Sequence, residues 1–172
     1  MEPTGVKERK RILLPSVPVF IQVYGQLDVD HWIYVACRDG KIVVVKDGKL
    51  SDQTFDIECK PVGMIYMNKS INIAGMNNRI HSYFAKGKKN YSIYTPHPIV
   101  CIEKMEMQGT KQTKCLLVAL NNGEIRVYNS KYLLNCIKTD DVVWGMVFGV
   151  LGREEGSLVI NFKSGGITIK ML

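Results

Sequence analysis

Residues 116–129 read LLVALNNGEIRVYN, and this stretch decides the fold. An unbroken apolar run, LLVAL, meets an Asn121-Asn122-Gly123 turn, and strict alternation follows, with Ile125 and Val127 alternating with Glu124 and Arg126. Alternation of period two is the mark of a strand, and Asn-Gly supplies the positive φ that a twisted two-residue hairpin requires. The same unit recurs as WIYVACRDGKIVVVK at 32–46, INIAGMNNRIHSYF at 71–84 and LVINFKSGGITIKM at 158–171. The equivalent turn residues are Gly40, Asn78, Gly123 and Gly165, separated by 38, 45 and 42 residues. That spacing matches the roughly 40–50 residues of a propeller blade.

Each hairpin has neighbours. An apolar run precedes it: PVFIQVY (18–24), VGMIYM (62–67), IVCIEKMEM (99–107) and VVWGMVFGV (142–150). A more polar run follows the first three: TFDIEC (54–59), NYSIYT (90–95) and LLNCIKT (133–139). The unit is therefore a four-stranded meander, strands A to D from inner to outer. Inner strands covered on both faces read as continuous apolar runs, whereas an outer edge tolerates charge and proline. Pro61, Pro96, Pro98 and the Asp140-Asp141 pair stand where the chain leaves one unit for the next.

The expected architecture is all-β, with about four antiparallel propeller blades at 16–60, 61–96, 97–140 and 141–172. The last unit stops after its third strand and lacks an outer one. Residues 11–14, Arg-Ile-Leu-Leu before Pro15, read as a stray outer strand with no blade ahead of it, and 1–10 as a basic tail. Closing a ring with only four blades is uncommon, so the pattern favours 11–172 as an arc of a larger propeller with two open apolar faces.

The chain has 172 residues, 46% hydrophobic and 23% charged, as globular chains are. Its net charge of +7 is scattered, with small clusters at Lys7–Arg11 and Lys86–Lys89. Binding to nucleic acid or an anionic membrane through these clusters is the alternative function, and solvated surface the simpler reading. The five cysteines are widely spaced, four of them in or beside apolar runs, without CxxC or CxxH pairing, which suits buried thiols rather than zinc. The charged start after Met1 offers no signal peptide, and no apolar stretch approaches the length of a membrane helix.

Motifs that carry chemistry are lacking. Lys86-Gly87-Lys88-Lys89 has no upstream phosphate-loop glycine, no following Ser or Thr, and joins two strands. His31, His81 and His97 have no ligand-spaced neighbour. Asp28 with Asp30, Asp140 with Asp141, and Glu154 with Glu155 are paired carboxylates on connections of different type, so convergence for hydrolysis is not indicated. Trp32 and Trp144 fall in apolar runs and are read as core. The expectation is a non-enzymatic chain with no metal and no cofactor.

Several segments in order become specific: SVPVF (16–20), ACRDGKI (36–42), KPVG (60–63), KGKK (86–89), LNNGEIRVYNSKYLLN (120–135), FG and LGREE within 148–155, and GGITIKML (165–172). Together they resemble the latter part of the N-terminal β-propeller of the Bardet–Biedl syndrome protein 1 family, a BBSome subunit. The resemblance runs from about Ser16 to Leu172, with Met1 to about Arg11 expected outside it. Family members carry several blades before the segment matching Ser16 and further domains after the propeller. The resemblance implies a role in ciliary membrane-protein trafficking, in the cytoplasm and at the cilium and its basal body. It implies three kinds of partner: other BBSome subunits, an Arf-like small GTPase in its GTP form, and ciliary membrane-protein cargo. Nucleic acid is not favoured, and membrane association would be indirect. If the binding edge includes the last blade, the residues expected to carry it are Gly152, Arg153, Glu154 and Glu155 of the A–B loop and Lys163 of the following hairpin.

Overall fold

The computed structural model describes residues 5, 8, 10–26, 29–107 and 113–171. Four antiparallel sheets follow one another along the chain. The first is β1 (Pro18–Gln26), β2 (Asp30–Cys37), β3 (Lys41–Lys46) and β4 (Lys49–Asp56). The second is β5 (Pro61–Met67), β6 (Ser70–Gly75), β7 (Arg79–Phe84) and β8 (Lys89–Tyr94). The third is β9 (Ile99–Met107), β10 (Thr113–Leu120), β11 (Glu124–Asn129) and β12 (Tyr132–Lys138). The fourth has three strands among the described residues, β13 (Val143–Leu151), β14 (Glu154–Phe162) and β15 (Ile167–Met171). The inner strands stack in series, β5 on β1, β9 on β5 and β13 on β9. Among the described residues no comparable packing joins the fourth sheet to the first, so the blades form an arc.

The core lies between the blades. Along β10, Leu116, Val118 and Leu120 pack toward the second blade with Ala74, Ile80 and Ile93. Their neighbours Cys115, Leu117 and Ala119 pack the other way, with Met146, Leu158 and Ile160 of the fourth blade. Alternation sends successive side chains to opposite faces, so a strand buried on both faces must be apolar at every position, as CLLVAL is. Between the first two blades, Tyr34, Ile42 and Val44 meet Met64, Ile71 and Ile73. Leu116→Ala should therefore cost about 2–5 kcal/mol, whereas Ile167→Ala on the open last blade should stay within about 0.5 kcal/mol. Denaturant melts of the two variants check the contrast.

The turns have the backbone their residues allow. Gly40 (φ 97°), Asn78 (58°), Gly123 (80°) and Gly165 (103°) all adopt positive φ. At Gly40 a Cβ would also stand 2.6 Å from the Cys59 carbonyl oxygen. Gly63 answers a different need: a Cβ there would meet Ile102 at 2.8 Å, so its bareness lets β5 and β9 approach.

Three expectations are corrected. Residues 11–14 form no strand, because a strand needs a neighbouring edge to bond and none is offered to them. They keep the alternation, with Leu13 86% exposed and Ile12 and Leu14 half-buried. The second correction concerns the open face of the first blade. Val35, Cys37, Val43 and Val45 point away from the second blade, yet each is at most 4% exposed. Lys10 lies against Gly48 in the β3–β4 turn, and the Val17 carbonyl accepts a hydrogen bond from Arg38 N at 2.8 Å. Seven extended residues reach about 23–25 Å, enough to run between these points. Residues 10–17 thus strap the face where a preceding blade would sit, while Ile21 and Val23 of β1 stay exposed. Third, Trp144 is not core: it is 62% exposed on the uncovered side of the last blade.

Candidate partner-binding site

The far ends of β1, β5, β9 and β13 gather on one rim, the A–B rim. Gly152 closes the β13–β14 turn with φ 65°, and Arg153, Glu154 and Glu155 stand exposed beside it. Lys163 follows the far end of β14, which is nine residues long. At about 3.3 Å per residue the two ends are roughly 26 Å apart. The structure therefore keeps Gly152–Glu155 together and leaves Lys163 on the opposite rim.

At that opposite rim the backbone is fastened. Lys163 N donates to the Val142 carbonyl at 2.9 Å, and Ser164 N donates to Asp141 Oδ2 at 3.0 Å. Hydrogen bonds from Ser164, side chain first, hold the Asp141 carboxyl below its usual range. The Thr139 hydroxyl reaches the Gly123 carbonyl at 2.7 Å, and Thr95 reaches the Asn78 carbonyl at 3.1 Å. Each threonine thus ties the end of an outer strand to the turn residue of its own blade. The sequence held this signal, since a threonine stands 16 or 17 residues after both turns.

On the A–B rim a cleft of about 190 Å³ opens between the third and fourth blades. Met107, Phe148 and Val150 supply apolar walls, and Glu106 and Glu155 supply carboxylates. A cleft of this kind suits a side chain with an aliphatic stem and a cationic tip. Of the paired carboxylates, Glu154 and Glu155 lie on this rim and Asp140 and Asp141 on the other; Asp28 lies outside the described residues. Among the described residues no three histidines, cysteines or carboxylates gather as a metal site.

His81 stands apart from both rims. It is 6% exposed in β7, and neither ring nitrogen has a hydrogen-bond partner. Burial lowers its pKa from 6.5, Lys89 and Arg79 lower it further, and Glu58 opposes them. The unfolded chain then takes up this proton at a higher pH than the folded one, so stability is full above about 6.5 and falls as pH drops below it. Melting temperatures between pH 7.5 and 5 should decline, and His81→Leu should flatten that part of the profile.

Comparison with known proteins gives this geometry a family. The sequence model for the ciliary BBSome complex subunit 1 matches residues 1–46. BBSome complex member BBS1 of Homo sapiens is 34% identical over 173 residues, covering 100% of this chain and 29% of the relative. The Mus musculus protein gives the same figures. BBS1N, solved in complex with ARL6DN and soaked with mercury, superposes with a TM-score of 0.94 at 40% identity, over 98% of this chain and 51% of that one. In sequence and in fold the chain is similar to the BBS1 propellers. The curated BBS1 match spans the whole chain, so the first eleven residues, expected to fall outside the resemblance, lie within it. The chain spans 29% of the length of these BBS1 relatives and about half of the solved BBS1N chain. The computationally designed Ika4 protein, 11% identical with a TM-score of 0.69 over 98% of this chain, shares the fold alone.

Proposed function

We propose that this chain is a non-enzymatic interaction scaffold of the BBSome type that docks an Arf-like small GTPase in its GTP form. The observation that carries the reading is the 0.94 TM-score to BBS1N, a protein solved in complex with ARL6DN. The nucleotide would belong to the GTPase, and this chain would contribute surface only. Residues 11–172, with blade units at 16–60, 61–96, 97–140 and 141–172, act as one arc in this reading. Other BBSome subunits and ciliary membrane-protein cargo are its further partners, the cytoplasm and the cilium with its basal body its places of work, and trafficking of membrane proteins its role.

The contact edge we assign is Gly152, Arg153, Glu154 and Glu155, whose exposed charges flank an apolar cleft. Lys163, on the other rim, is a separate candidate that a rim-bound partner would not reach. A pull-down with GTP-locked and GDP-locked GTPase tests both. The GTP form alone should be retained, Arg153→Glu with Glu155→Lys should cut retention at least about tenfold, and Lys163→Glu should not. A folded chain that retains neither form removes GTPase recognition from this segment.

A further inference from the structure

A second cleft, of about 450 Å³, opens on the same rim where the ends of β1, β5 and β9 meet. Its aromatic wall is built rather than incidental. Tyr24 and Tyr66 have ring centroids 4.4 Å apart, and Tyr34 supports Tyr66 at 5.8 Å. Gln22 Oε1 accepts a hydrogen bond from Tyr66 N at 3.5 Å, linking the first and second blades. Three lysines line the cleft: Lys69 from the second blade, Lys104 and Lys114 from the third. Asn68 and Lys69 both adopt positive φ, at 52° and 59°, a turn that sets Lys69 on the lip.

The charges do not cancel. Lys114 is paired with Glu106 at 3.0 Å. Among the described residues no carboxylate lies within ion-pair distance of the Lys69 or Lys104 ammonium. Among the described residues Lys69 and Lys104 thus line the cleft outside any ion pair, Lys104 with the Glu103 carboxylate attracting it, beside the half-exposed ring of Tyr24.

We propose that this cleft docks an acidic peptide segment of a protein partner, one that alternates carboxylates with aromatic or large apolar side chains. The carboxylates would meet Lys69 and Lys104, and the apolar side chains would cover Tyr24, 49% exposed, and Val23, 62% exposed. A bare phosphate or lipid headgroup would use the lysines and leave that apolar surface wet. The volume lies within the range of sites that enclose small ligands, and the cleft extends across three blades, as an extended chain requires. The first three blades supply the cleft, so the proposal does not rest on the GTPase reading.

Fluorescence anisotropy of the full chain with a labelled peptide of alternating glutamate and phenylalanine tests it. Binding should weaken with salt and vanish for the same peptide with glutamine in place of glutamate. Lys69→Glu with Lys104→Glu should weaken it at least about tenfold, because like charges then face each other. Tyr24→Ala should weaken it about threefold or more through lost ring contact. Glu106→Gln frees Lys114 and should strengthen it. Melting curves verify that each variant is folded. Binding untouched by the lysine reversals overturns the proposal, as does absence of peptide binding. So does displacement of the peptide by millimolar inorganic phosphate, or by phosphatidylserine vesicles, at constant ionic strength.

Discussion

Replacing Ile12 and Leu14 together by aspartate should uncover the first blade and make a silent cysteine reactive. Cys37 is fully buried, on the face crossed by residues 10–17, and the Ser16 backbone reaches its sulfur. Burial pushes its thiol up from 9.0, with Asp39 adding to the rise, so it is both inaccessible and short of thiolate. Ile12 and Leu14 are the half-buried members of the strap, while Leu13 points outward. Losing two half-buried aliphatic side chains costs about 3 kcal/mol. For a chain of this size that lowers the melting temperature by about 6–12 °C. In a Cys136→Ser background, which removes the exposed thiol, labelling by an aromatic disulfide reagent should gain a fast cysteine in the double variant. Leu13→Asp is the control and should leave both readings unchanged. An unreactive Cys37 and an unmoved melt in the Ile12/Leu14 variant would sink the strap.

The contrast between the strap and the blades shows which parts of this molecule are written locally. A blade is specified within some forty residues: Asn122-Gly123 sets the turn, Ile125 and Val127 set the alternation, and their strand pairs only with strands next to it in sequence. The continuous run CLLVAL even announces that two faces will be covered. Arg11–Leu14 carries the same alternation, and nothing within it distinguishes a strand from an extended strap. That distinction depends on whether a partner edge lies alongside, which is a property of the assembled arc. Trp144 is exposed for the same reason, since an apolar run is core only where a further sheet lies over it. Of the assigned binding residues, the separation of Lys163 from Gly152–Glu155 was legible as nine residues of strand. The lysine cleft was not, because Lys69, Lys104 and Lys114 are adjacent only once three blades have stacked.

The uncovered side of the last blade carries the other large expected effect. Val147, Val159 and Ile169 form one cross-strand row there, and Ile167 lies beside it opposite Asn161. Val147 is 64% exposed and Ile167 72% exposed, with Trp144 on the same sheet. Beyond them β15 pairs with β14 alone among the described residues, so its outer backbone edge is also unpaired. Soluble monomers rarely leave so much contiguous apolar surface next to a free strand edge. This chain covers 51% of the solved BBS1N chain. Isolated in solution, the chain should self-associate with rising concentration, read as a growing weight-average mass in sedimentation. Val147→Lys with Ile169→Lys should restore the monomer mass. The same change should shift stability by no more than about 1 kcal/mol, because both side chains are already largely in water. A wild-type chain that stays monomeric at high concentration would mean this face tolerates water unaided. A lysine pair that unfolds the blade would mean the face is covered from a direction that the arc does not reveal.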